Sequence, residues 1–180
     1  MGPSRSVATG VGQVINDIAQ RGAVEALRPF NLDGMAGAPA TDVFSALADV
    51  LCPDGGTIDE AIARDAMLAT AAELSTAGNA PFDAMTPAAL EAVFLGTISR
   101  SIEAKLFNEL GTKAIRLPQD IAAVQRIERE LHGFVSGAVR DAFTGANQSL
   151  QTTPAANISG LVDDLYQRAF EVLQILGDNA

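Results

Sequence analysis

With 180 residues, 48 % of them hydrophobic and 19 % charged, the chain has a globular composition and a length suited to one domain that buries about two-thirds of its unfolded surface. Its 22 acidic against 12 basic side chains give a net charge of −10 with no basic cluster above two residues, which disfavours direct nucleic-acid or membrane-surface binding, because polyanions are held by clustered Lys and Arg. A single cysteine allows no internal disulfide, no stretch approaches about 18 uninterrupted apolar residues, and MGPSRSVATG lacks a secretory apolar core, so the expected location is cytoplasmic, with no membrane span.

Helical periodicity runs almost from end to end, and no convincing period-2 run of a strand occurs. Val7, Val11, Val14, Ile15 and Ile18 predict a helix entered at Pro3-Ser4 and closed near Gly22, with a short continuation over residues 23–28 that ends before Pro29. Two prolines and two glycines over residues 29–40 predict a connector, with Phe30, Leu32 and Met35 tucked onto the core. Thr41 precedes Val43, Phe44, Leu47, Val50 and Leu51 on one helical face, where its hydroxyl is placed to accept from an unpaired first-turn amide. That helix stops at Cys52-Pro53. Asp54-Gly55-Gly56 then makes a tight turn, and Thr57 with Glu60 forms a capping box, each side chain satisfying the other's backbone amide. The following helix is expected from about Ile58 to Thr76, ending at Gly78, with Glu60 and Arg64 as an i,i+4 pair.

Thr86-Pro87 and Thr153-Pro154 read as capping threonine and first-turn proline, and Leu117-Pro118 opens another helix. Leu90, Phe94, Ile98, Ile102 and Leu106 make one apolar stripe, ended by Gly111. Ile121, Val124, Ile127, Leu131, Phe134, Val135, Ala138 and Ala142 make the next, and Ile158, Leu161, Leu165, Ala169, Leu173 and Leu176 the last. Gly133, Gly137 and Gly145 lie in or just after the fifth long helix, where glycine costs roughly 1 kcal/mol against alanine. The expected reason is close approach of a neighbouring helix, the alternative a locally soft one. Each stripe must be covered by another, so the predicted fold is an all-α, compact bundle of about six helices forming a single domain over residues 1–180.

Few residues point to chemistry. The sole histidine, His132, follows Glu128 by one helical turn, and this Glu-x-x-x-His pair is the basis for a small-ligand or metal-binding bundle; a metal would need further carboxylates from another helix. Cys52 and His132 are a conceivable nucleophile and base, but Cys52 ends an apolar face where cysteine is normally a small buried hydrophobe. Carboxylates gather at Asp54, Asp59, Glu60 and Asp65, with a second pair at Asp163-Asp164. No phosphate loop, dinucleotide fingerprint, nucleophile elbow or zinc spacing occurs, so the chain is not expected to be an enzyme.

The run ADVLCPDGGTIDEAIARDAM at residues 48–67, with GPSR at 2–5 and DLYQRAF at 164–170, resembles the B component of the Qat anti-phage defence system. The resemblance implies the C-terminal helical domain of a longer family protein, whose glycine-rich lead and intervening region are not in this sequence, so that Met1 to Ser4 would be an internal boundary or an artificial start. It also implies companions: a QueC-like protein, an ATPase and a TatD-like nuclease, with the B component as partner or substrate of the QueC-like enzyme. Related QueC-like proteins attach a deazaguanine to a protein N-terminus; that modification is not carried over to Gly2. On this reading the chain is a non-catalytic docking platform, and Asp54, Asp59, Glu60 and Asp65 are the candidate docking surface, set against the ordinary reading of a solvated face. The stripe from Leu90 to Leu106 is equally able to pair in a homo-oligomer.

Overall fold

A central helix made of valines, isoleucine and very small residues organises the rest. The computed structural model describes residues 2–52, 56–76, 78–112, 121–146 and 149–177. These form seven α-helices: α1 (Gly2–Arg21), α2 (Ala23–Leu27), α3 (Ala40–Leu51), α4 (Ile58–Thr76), α5 (Pro87–Thr112), α6 (Ile121–Gly145) and α7 (Ile158–Gly177). Six correspond to the expected long helices, and α2 is the short continuation. α3 to α7 pack in sequence, each on the next, while α1 lies against α4, α5 and α7. Val7, Ala8, Gly10, Val11, Gly12, Val14, Ile15 and Asn16 of α1 are all buried, so this helix is enclosed on most of its circumference.

Small residues make that enclosure possible. A Cβ placed on Gly12 would lie 2.9 Å from Ile158 Cγ2 of α7 and 3.1 Å from Phe94 Cε2 of α5; one on Gly10 would lie 2.7 Å from Leu51 Cδ2. On α5, a Cβ at Gly96 would meet Thr70 Cγ2 of α4 at 2.8 Å. The close approaches therefore fall here and not at Gly133, Gly137 or Gly145, beside which a Cβ would meet nothing within 4 Å. The close-packing expectation for α6 is corrected: its glycines border open space.

Local signals set most boundaries. Gly22, at φ 85°, closes α1 through its amide to Ile18 O (3.0 Å) and accepts from Ala26 N (3.1 Å) to start α2, a conformation glycine adopts without a Cβ penalty. The Thr57–Glu60 capping box forms, with Glu60 N donating to Thr57 Oγ1 at 3.3 Å and Thr57 N donating to the Glu60 carboxylate. Thr86 Oγ1 accepts from Ala89 N (3.2 Å) at the start of α5. The tight turn at Asp54-Gly55, the opening at Leu117-Pro118 and the side chains of Leu173 and Leu176 lie outside the described residues.

Two caps differ from expectation. Pro39, not Thr41, precedes α3, and Thr41 is its second residue. The exposed amide is met from across the fold: Asn79 Oδ1 accepts from Thr41 N (3.1 Å) while Asn79 Nδ2 donates to Thr41 Oγ1 (2.9 Å). The loop holding Asn79 is fixed against the connector, because Ala40 N donates to Ala80 O (3.0 Å), Phe82 N to Ala38 O (2.9 Å) and Asp83 N to Ala36 O (3.0 Å). Phe44 and Phe82 meet edge to face at 5.4 Å beneath this junction, and Phe30, Leu32 and Met35 pack on the core as expected. At the other end, Thr153 is buried and donates its hydroxyl to Ser149 O (2.8 Å), a 3-10 turn occupies Ala155–Asn157, and α7 starts at Ile158.

The α6 stripe also divides. Val135, Ala138, Val139, Ala142 and Phe143 are buried, but Ile121 is 74 % exposed and Ile127 and Phe134 are each 39 % exposed. At that end α5 and α6 flank a groove lined by Glu103, Phe107, Glu128, Arg129 and His132, while Leu106 and Leu131 still pack on the core.

Candidate docking surface and the α5–α6 groove

Four carboxylates were singled out by spacing, and the structure treats them differently. Asp54 lies outside the described residues. Glu60 turns back into the capping box, Asp59 reaches across to Lys105 Nζ on α5 (3.5 Å), and Asp65 is exposed. Arg64 crosses to α3, where it pairs with Asp49 and donates to Cys52 O (2.9 Å) and Ala48 O (3.4 Å). A cation on the last carbonyls of a helix meets both its unpaired acceptors and its negative end. The expected i,i+4 partnership of Glu60 with Arg64 thus gives way to a cap on one side and an interhelix clamp on the other. The result is a well-determined start to α4 with Asp65 facing solvent.

Cys52 sits at the end of α3, buried, and burial pushes its thiol up from the ordinary value while Arg64 works in the opposite direction. A buried, protonated thiol is a poor nucleophile. The partner of His132 is elsewhere: its Nδ1 lies 2.8 Å from Glu103 Oε1 on α5. Glu128, its expected neighbour on the same helix, is exposed on the rim. Burial pushes the Glu103 carboxyl up, opposed by His132 and Arg100. Among the described residues no group of three His, Cys, Asp or Glu side chains is arranged to hold a metal, so Glu128 and His132 gain no third ligand there.

His132 and Glu103 belong to an open groove between α5 and α6, lined also by Glu73, Arg100, Phe107, Gln125, Glu128, Arg129 and Gly133. Arg100 pairs with Glu73 of α4, and its buried Nε has no acceptor among the described residues. The spacing arguments identified His132 and Glu128 but not Glu103, Arg100 or Glu73, because the groove exists only once three helices come together.

Two further buried polar groups escaped the sequence reading. Asn16, 3 % exposed, donates Nδ2 to Leu150 O (2.7 Å) and Thr153 O (2.8 Å), tying the α6–α7 link onto α1. Its signal was a lone amide inside the apolar series of α1. Tyr166 of α7 is fully buried, its hydroxyl 2.5 Å from Ser101 Oγ; Ser101 donates to Ile98 O, so the phenol is the donor between them. Arg5 lies 5.4 Å from the Tyr166 ring centroid and 2.9 Å from Asp163, joining the start of α1 to α7. Burial drives the phenol far above its usual range.

No helix among the described residues is long and apolar enough to cross a membrane. No curated protein and no solved structure matches the chain. The model of one family, described as the Qat anti-phage system associated protein QatB, matches residues 1–173, which take in α1 to most of α7 together with the central packing of α1 and the clamped start of α4. The chain belongs to the QatB family and is a component of the Qat anti-phage system.

Proposed function

We propose that the chain is a non-catalytic helical component of the Qat system, serving as partner or substrate-presenting scaffold for the system's QueC-like enzyme. The observation that carries this reading is the α3–α4 junction, within the run that resembles the family. The capping box and the Arg64 clamp fix a helix start from which Asp65 projects, with Asp49 exposed beside it on α3. An acidic surface offers charge complementarity to a basic partner. Cys52, the one thiol nearby, is buried and structural in this reading.

The chain acts as a single helical domain, the C-terminal one of the family protein, in the cytoplasm. The ATPase and the TatD-like nuclease are further companions. Gel filtration with the QueC-like protein tests the surface: co-elution of the wild-type chain at micromolar concentration is expected, and Asp59→Lys with Asp65→Lys should weaken it by about tenfold or more. Separate elution of the wild-type pair, or co-elution unaffected by both charge reversals, would remove this surface from the interface.

A further inference from the structure

We propose that the narrow end of the α5–α6 groove is a binding site for a small phosphate-type anion, independent of the partner surface on α4. In a chain with ten more acidic than basic residues, Arg100, Arg129, Arg140 and the sole histidine line the groove and its adjoining recess, together with Glu73, Glu103 and Glu128. Its narrow end is a recess of about 240 Å³ walled by Ser99 and Arg100 of α5 and His132, Ser136 and Arg140 of α6, with Glu73 at the edge. That is several times the roughly 30 Å³ share of one water molecule.

Arg100 carries the argument. Among the described residues its guanidinium is held by Glu73 through Nη2 alone, and its buried Nε–H has no acceptor. A buried donor left unmet calls for a physical reason. An oxyanion seated in the recess supplies one, because a guanidinium offers Nε and Nη2 as a parallel fork to two oxygens of the same group. A tetrahedral anion has oxygens left for Arg140 and the Ser136 hydroxyl, which approach from the opposite helix; a planar carboxylate does not. Gly133, beside which a Cβ would meet nothing within 4 Å, leaves the adjoining groove open for whatever bears the phosphate.

Calorimetric titration of the intact chain with inorganic phosphate, at constant ionic strength, tests the site. Saturable millimolar binding is expected, weakened about tenfold in Arg140→Gln and unchanged in Arg28→Gln, whose side chain pairs with Glu25 away from the groove. Glu73 competes with the anion for Arg100, so Glu73→Gln should bind phosphate more tightly than wild type, an effect that a purely structural ion pair would not produce. Absence of saturable binding, equal loss in Arg28→Gln, unchanged or weaker binding in Glu73→Gln, or acetate binding as well as phosphate would each overturn the assignment.

Discussion

Alanine at Gly12 and alanine at Gly137 should move stability in opposite directions. Both residues lie inside α-helices, so each substitution gains the helix preference of alanine over glycine, roughly 1 kcal/mol. At Gly137 no atom beyond the helix's own adjacent backbone lies within 4 Å of the new methyl group, and this gain stands alone, a stabilisation of about 0.5–1 kcal/mol. At Gly12 the methyl would lie 2.9 Å from Ile158 and 3.1 Å from Phe94, both 0 % exposed. Forcing such a core apart costs about 1–3 kcal/mol, so the net effect is a loss of about 1 kcal/mol. Gly10 should fall between the two, because its neighbour Leu51 is only half-buried and can shift its far end. Urea unfolding resolves the difference: at a slope of roughly 2 kcal/mol per molar the Gly12 and Gly137 variants should separate by about 1 M in midpoint. A Gly12→Ala chain as stable as Gly137→Ala would refute the view that α1 is the close-packed centre.

Three other outcomes follow from the buried polar groups. Asn16→Ala leaves two carbonyls of the α6–α7 link without their donor and should cost about 2–4 kcal/mol in the same assay, with faster amide exchange around Ser149 to Thr153. Tyr166 is the only tyrosine and no tryptophan is present, so alkaline absorbance titration reports this one phenol; it should stay un-ionised until the protein unfolds, and Tyr166→Phe should cost about 0.5–1.5 kcal/mol. Glu103, whose carboxyl is raised by burial, binds its proton more tightly folded than unfolded, so its contribution is greatest at low pH and is lost as pH rises from its ordinary value near 4.5 through the raised one. Stability profiles of wild type and Glu103→Gln should therefore diverge in that window, the variant lacking the decline; parallel profiles would contradict the burial of that carboxyl.

What the sequence displayed were features decided within a few residues. The 3.6-residue recurrence of Val7 to Ile18 and Leu90 to Leu106 placed the helices because burying one face is a local requirement of the pattern. Thr57 with Glu60 and Thr86 with Pro87 placed two helix starts for the same reason. Thr41 looked like a cap of the same kind, yet Asn79, far along the chain, does that work through a loop pairing that no local spacing encodes. The glycines of α6 and α1 are alike as letters; only the neighbours in space separate Gly12, pressed by Ile158 and Phe94, from Gly137, pressed by nothing. Likewise His132 was visible as the sole histidine with Glu128 one turn before it, whereas its actual partner Glu103 comes from another helix. The run at residues 48–67 pointed to the family, and the acidic positions within it proved unequal: Glu60 is occupied locally, Asp59 reaches Lys105, and Asp65 faces outward.

Partnership with the QueC-like enzyme is tested most directly by intact-mass and native spectra of the full-length family protein expressed with and without that neighbour. A retained complex, or a covalent mass increase that depends on the neighbour, is the predicted result. Identical spectra in both cases, with neither complex nor adduct, would contradict the partner and scaffold role.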